Sequence, residues 1–313
     1  MNKHIKKVIL FSLALVVVGS LNFTKVKAES ITNNIINSEN IKLKNPIKDC
    51  KNYIIYYGYN FDEKTIEKLK TYDLVVINPL EEGANDACKK LQMSGVKVYA
   101  YTSSIEIPSA DKELINSINY NEKLKVNNNI LTHWEKNELG DLKQKSYRTK
   151  IINKVIERIY NKGYDGVFVD TLDDLENMDY ILEENNVKVF DVETYMKEME
   201  QAGADFIKEL KNANPKLSII QNRGFQLLDK GTNKFVDAVL YEDICKSADE
   251  TFYINTKAIL DRYTLNNNGI VMALPNQNKY YEESKKIAKD NKWLYYQTNN
   301  YEDTLIIDGL NYK

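Results

Sequence analysis

A chain of 313 residues, 43% of them hydrophobic, can bury one large core or two small ones. Lys+Arg at 43 against Asp+Glu at 45 gives no basic surplus, which argues against a nucleic-acid partner. Only two histidines, His4 and His133, and three scattered cysteines, Cys50, Cys88 and Cys245, argue against a Ser-His-Asp or Cys-His hydrolase, a multi-histidine metal centre and a disulfide framework, so acid–base work falls to carboxylates or tyrosines.

The N-terminus reads as a secretory signal peptide over residues 1–28. Lys3, Lys6 and Lys7 precede the apolar run VILFSLALVVVGSL, and Val26-Lys27-Ala28 closes it with a small residue. The run is short for a membrane span of about 20 residues, so cleavage after Ala28 is the reading preferred over an uncleaved anchor. Cleavage removes five lysines and no acid. It leaves 38 Lys+Arg against 45 Asp+Glu, a net charge of −7. Such a charge suits a cationic substrate and also simple solubility. Residues 29–48 are polar and Asn-rich and read as a tether.

From residue 49 onward short apolar runs alternate with amphipathic stretches. The runs are YIIYYG, DLVVINP, VKVYAY, GVFVD, LSIIQN, DAVLYE, GIVMALP and WLYYQ. Each is rich in β-branched and aromatic residues and apolar on both faces, the pattern of buried parallel strands. Between them lie helix-like stretches such as YRTKIINKVIERIYNKG and DVETYMKEMEQAGADFIKELKNANP, stopped by Gly95, Gly163 and Pro215. Eight strands alternating with helices predict a single (β/α)₈ TIM barrel over residues 49–313. The competing doubly wound sheet lacks its glycine-rich turn, since YYGYNFDE holds one glycine. A long insertion, residues 106–146, follows the third strand, and the last helix is short or missing. No run after the signal is long enough to cross a membrane.

In such a barrel chemistry gathers where strands end. The ends supply Tyr56 and Tyr57, then Asn78, then Tyr101 with Ser103 and Glu106, then Asp170 with Asp173, then Asn222 and Arg223, then Tyr241 and Glu242. Asp170 and Glu242 close the fourth and sixth strands after apolar runs. Two opposed carboxylates are the minimum equipment for glycoside hydrolysis, and they need neither metal nor cofactor. The plainer reading is that Asp170 caps a turn and Glu242 pairs with a lysine. Asp173 is placed to grip a sugar hydroxyl or amine, while Asp174 faces solvent or caps a turn. A Ca²⁺ site from Asp170, Asp173 and Asp174 is disfavoured, because the segment lacks the glycine and alternate spacing of a calcium loop. Tyr56, Tyr57, Tyr101 and Tyr241 are candidates to stack on sugar rings, or are core residues. Arg223 either pairs with a catalytic acid or holds the loop after the fifth strand.

The stretches YDLVVINP, YRTKIINKVIERIYNKGYDGVFVDTLDD, IIQNRGFQLL and VDAVLYEDI resemble the secreted endo-α-1,4-polygalactosaminidases of glycoside hydrolase family 114, with G-[YF]-D-G-V-x-x-D-x-x-D as the most specific piece. The likeness runs from about Tyr53 to Asn299. It implies a secreted, endo-acting enzyme on α-1,4-linked galactosamine or N-acetylgalactosamine exopolysaccharide, with Asp170 as nucleophile and Glu242 as acid/base. A tryptophan-containing stretch before the fourth strand reads HWEKNELGDL here, with one tryptophan, Trp134. The rival function is a non-catalytic carbohydrate-binding barrel, which would keep the tyrosines and Asp173 without needing Asp170 and Glu242 together.

Overall fold

The structure, a computed structural model, describes residues 45–275 and 278–297. The expected signal peptide, most of the tether and the region of the last helix lie outside the described residues. The packed unit starts at Pro46, and a turn over Pro46–Asp49 seats Ile47 fully in the core.

Eight parallel strands line up in sequence order: β1 (Tyr53–Tyr56), β2 (Leu74–Ile77), β3 (Lys97–Ser103), β4 (Gly166–Asp170), β5 (Ser218–Asn222), β6 (Ala238–Glu242), β7 (Ile270–Leu274) and β8 (Leu294–Tyr295). All eight apolar runs of the sequence are strands. Each inner ladder carries side chains buried on both faces, as the VVI of β2 and the VFV of β4 are. The sheet curls until it is nearly closed into a TIM barrel. Among the described residues no backbone ladder joins β8 to β1. Side chains span that seam instead: the Tyr53 hydroxyl donates to the Ala273 carbonyl at 2.8 Å, and the Tyr53 and Tyr296 rings lie 5.8 Å apart.

Helices α1 (Glu63–Leu69), α2 (Ala84–Met93), α3 (Lys145–Arg158), α4 (Val192–Ala213), α5 (Glu250–Asn267) and α6 (Tyr281–Asn291) connect the strands. Aspartates start three of them. Asp62, Asp191 and Asp249 accept from the backbone N–H of Thr65, Thr194 and Phe252, satisfying donors that a helix start leaves open. No helix among the described residues is long and apolar enough to cross a membrane.

The motif GYDG before β4 is largely architectural. Gly163 sits at φ 91°, a left-handed turn that a side chain would strain. Asp165 accepts from the Val98 N–H of β3 at 2.8 Å and from Gln92 at 3.0 Å. Asp73 does the same for Lys51 ahead of β1, and Asp237 for Ile219 of β5. An aspartate just before each of β2, β4 and β6 thus hooks the strand that precedes it. At Gly166 a Cβ would lie 2.6 Å from the Ser218 carbonyl oxygen of β5 and 2.3 Å from the Tyr99 ring of β3. The ring can shift; the backbone oxygen is fixed in the ladder. Gly166→Ala is therefore expected to destabilise the barrel by about 2–4 kcal/mol, read as a lowered melting temperature. An unchanged melt would refute this packing argument.

The insertion after β3 forms its own small layer. Glu106–Ile107, Asn137–Leu139 and Thr132–His133 make a three-stranded antiparallel sheet, and Lys125–Val126 pairs with Asn129–Ile130 in a hairpin. Asn127 and Asn128 turn that hairpin with φ of 52° and 66°, the left-handed pair a tight hairpin demands.

Candidate active site

The tip of β4 is held from two sides. Ser104 Oγ donates to the Asp170 carbonyl at 2.7 Å, and the Ser104 and Ile105 N–H groups donate to Thr171 Oγ1 at 3.1 and 3.0 Å. These bonds hold Thr171 at φ 64°, unusual for a β-branched residue. The chain is thereby thrown from the strand into a 3₁₀ turn over Leu172–Leu175 that carries Asp173 and Asp174. The tips of β5 and β6 repeat the device. Arg223, directly after Asn222, has φ 46°, and Asp243, directly after Glu242, has φ 58°. Backbone in this region costs of order 1–3 kcal/mol per residue and persists where its surroundings dictate it.

These three tips meet. Asn222 Nδ2 donates to Asp170 Oδ1 at 2.7 Å and to Glu242 Oε2 at 2.5 Å. An amide nitrogen carries two hydrogens, so one side chain serves both acids, and the carboxylates on either side fix the amide orientation. The two accepting oxygens stand no further apart than those bonds laid end to end, about 5 Å. Burial holds Glu242 well above the ordinary glutamate range; the Asp170 charge adds to this, and the Asn222 hydrogen bond opposes it.

Around the pair, Tyr57 and Tyr101 form one wall, their rings 6.1 Å apart and edge to face. The Tyr101 hydroxyl interacts with Asp170. Tyr57 keeps 36% of its surface open, yet desolvation of its hydroxyl and the charges of Asp170 and Glu242 hold it well above the ordinary phenol range. Beside Asp170 lies an ionic knot. Arg223 Nη1 is 3.7 Å from Asp173 Oδ2, and its Nη2 is 3.9 Å from Glu176 Oε2. Burial pushes Asp173 up to about 6 and Glu176 up to about 7, with Arg223 pulling both down. Arg223 thus steadies Asp173 and Glu176. Its choice of partners also holds the loop after β5, because Glu176 accepts from the Phe225 N–H.

Three candidates go elsewhere. Tyr56 is 1% exposed, and its hydroxyl donates to the Asn60 carbonyl at 2.5 Å, under the loop after β1. Tyr241 is packed against Phe225 and Trp293, its ring 4.9 Å from Phe225, and its hydroxyl lies near Thr256 of α5. Asn78 is spent on its own turn, donating to Glu81 at 2.9 Å and accepting from the Leu80 N–H at 3.1 Å. Asp174 neither faces solvent nor merely caps a turn. It is 4% exposed and lies with Glu106 and His133, just behind Asp173. Burial holds Asp174 well above the usual carboxylate range and pushes Glu106 up to about 7. Glu106 therefore backs the site from the insertion instead of lining its mouth. Glu176 was not among the sequence candidates. It follows a turn, not a strand, and only its place three residues after Asp173 hints at a shared helical face.

Comparison with known proteins gives this arrangement a context. No curated protein matches the chain. Among solved structures, the glycoside hydrolase domain of PelA from Pseudomonas aeruginosa superimposes with a TM-score of 0.60 at 20% identity, over 79% of this chain and 94% of that one. A maltogenic α-amylase, AmyB, from Thermotoga neapolitana gives a TM-score of 0.51 at 11% identity, over 83% and 68% of the two chains. An α-galactosidase from Thermus thermophilus gives 0.51 at 9%, over 82% and 59%. At such identities the likeness concerns the barrel. The sequence itself matches the glycoside-hydrolase family GH114 over residues 43–303, which takes in the whole barrel from β1 to β8, and the chain belongs to that family of glycoside hydrolases.

Proposed function

We propose that the protein is a secreted, endo-acting glycosidase that cleaves α-1,4-linked galactosamine or N-acetylgalactosamine polymers with retention of configuration. One observation carries the reading: a single amide, Asn222, bridges Asp170 and Glu242, so their facing oxygens stand within about 5 Å. Retaining glycosidases hold their two carboxyl groups about 5–5.5 Å apart, and inverting ones about 6.5–9.5 Å to admit a water.

In the proposed reaction Glu242 gives its proton to the glycosidic oxygen while an Asp170 oxygen attacks the anomeric carbon. The carbon–oxygen bond to the leaving sugar breaks and a glycosyl–Asp170 ester forms. Glu242, now a carboxylate, takes a proton from water, whose oxygen displaces Asp170 and restores both groups. Glu242 suits the acid role because its environment favours the protonated form. Asn222 supplies a hydrogen bond to Asp170, and the Tyr101 hydroxyl lies near the same carboxylate. Asp173 and Asp243 add negative charge beside the pair, which supports a substrate carrying ammonium groups.

Incubating the purified protein with α-1,4-galactosamine polymers, acetylated and deacetylated, tests this directly. The expected result is release of reducing ends, with the α-anomer appearing first by NMR. Saturable binding without cleavage would instead favour a carbohydrate-binding barrel. For export, N-terminal sequencing of protein from culture medium is expected to start near Glu29; an intact Met1 in the membrane fraction would overturn cleavage.

A further inference from the structure

Behind the loop that follows β4, three segments bring metal-ligating groups together. Glu106 comes from the first strand of the insertion, His133 from its last hairpin, and Asp174 from the 3₁₀ turn after β4. One ligand atom from each lies within 4.8 Å of the other two. We infer that Glu106, His133 and Asp174 form a binding site for a divalent transition cation of zinc type, which clamps the insertion to the loop carrying Asp173.

The argument starts from a cost. Asp174 is 4% exposed, and its Oδ2 has no hydrogen-bond partner. Glu106 beside it is 6% exposed. Two buried carboxylates repel one another, and each loses its water, a cost relieved when they take up protons or when something positive compensates. Neither acid forms a lysine or arginine salt bridge among the described residues, and Arg223 ranks last among the charges acting on Asp174. A cation between them would remove the cost of both at once.

The surroundings are arranged as metal sites are. His133 Nδ1 is 2.9 Å from Glu184 Oε2, a contact that fixes the ring and leaves Nε2 as its free nitrogen. Histidine ligands commonly give their other ring nitrogen to a carboxylate in this way. Asn137 donates to Glu106 Oε2 at 3.0 Å and leaves the second oxygen available. One imidazole and two carboxylates match zinc, with water completing the shell; calcium takes six to eight oxygens and has no use for the imidazole. Tetrahedral zinc holds its ligands at about 2.0–2.2 Å, and therefore about 3.4 Å from one another, so a gap of up to 4.8 Å in the trio would close by as much as about 1.4 Å on binding, within reach of side-chain rotation.

The full chain, stripped with EDTA and dialysed against ZnCl₂, tests the inference by metal analysis and melting. One Zn²⁺ per chain is expected, with a melting temperature raised by roughly 5 °C at 100-fold excess over Kd. His133→Ala, a change at a partly exposed position, is expected to abolish both effects with an unchanged far-UV circular dichroism spectrum. Glu184→Gln is expected to weaken binding by about 10- to 100-fold, as loss of a ligand's orienting partner does. CaCl₂ at the same concentration is expected to change nothing. Absence of zinc uptake by the wild type, equal uptake by His133→Ala, or a calcium response in place of a zinc one would each overturn the assignment. None of these readouts depends on which polymer the enzyme cleaves.

Discussion

Asp170→Asn and Glu242→Gln are each expected to remove hydrolysis of a galactosamine polymer while the barrel stays folded. Both changes keep shape and hydrogen-bonding capacity. Asn at 170 cannot attack the anomeric carbon, and a loss of roughly 10⁴-fold or more in kcat follows from deleting a nucleophile. Gln at 242 cannot deliver a proton, and general acid catalysis is worth about 10²–10⁴-fold. A substrate with a good leaving group needs no protonation, so it should restore much of the first step in Glu242→Gln and none in Asp170→Asn. Melting temperatures are expected to hold or rise, because each change replaces a carboxyl crowded by another with a neutral amide. Near-wild-type turnover in either variant would end the catalytic assignment for that residue.

Asn222→Ala carries the second large effect. It removes the one donor shared by Asp170 and Glu242. Loss of a preorganised donor at reacting groups costs about 10²–10³ in kcat. The pH dependence should move as well, in a direction the structure fixes. Burial and the Asp170 charge raise Glu242, and the Asn222 hydrogen bond alone among the main influences lowers it. The acid must be protonated to work, so kcat/KM falls as pH rises through the folded pKa of Glu242, which lies above the ordinary glutamate range. Without Asn222 that pKa climbs further, and the alkaline limb should shift to higher pH. A raised folded pKa also means that Glu242 favours folding below the unfolded glutamate pKa of about 4.3, and that this contribution is lost as pH rises through the folded value. A fall in kcat without movement of the limb would show that Asn222 acts on position alone.

The eight strands were legible because parallel strands buried on both faces leave unbroken apolar runs, and Asp170 and Glu242 stood out as the charges ending two of them. What the runs hide is facing. Adjacent strand residues point to opposite sides. If Glu242 points into the mouth, Tyr241 must point at the helices, and it packs there against Phe225 and α5. The same parity separates Tyr57 from Tyr56. That signal was present in the sequence once a single inward residue was fixed. Asn78 could not be sorted this way, since its partners, Glu81 and the Leu80 N–H, depend on the turn that follows. Nor could the Glu106–His133–Asp174 cluster, whose members lie far apart in the chain and meet only because the insertion folds back on itself, pairing Glu106 with Leu139, beside the turn that carries Asp174. In the GYDGVFVDTLDD stretch, Gly163, Asp165 and Gly166 serve the ladder and Asp170 and Asp173 serve the mouth, a division that spacing alone does not show.

The left-handed residues after the three tips bear on how this protein would respond to selection. Thr171, Arg223 and Asp243 each hold a conformation that glycine adopts freely and other residues resist by about 1 kcal/mol or more. Breeding for heat resistance alone would therefore find glycine at 243 an easy gain, wherever the relief of backbone strain outweighs the greater freedom glycine gives the unfolded chain. Glycine at 171 would also delete the hydroxyl that receives the Ser104 and Ile105 amides, leaving the loop beyond Asp170 free to wander. At 171 the strain is thus locked in by the bonds it makes possible, and heat selection would keep the threonine for the same reason that the site does.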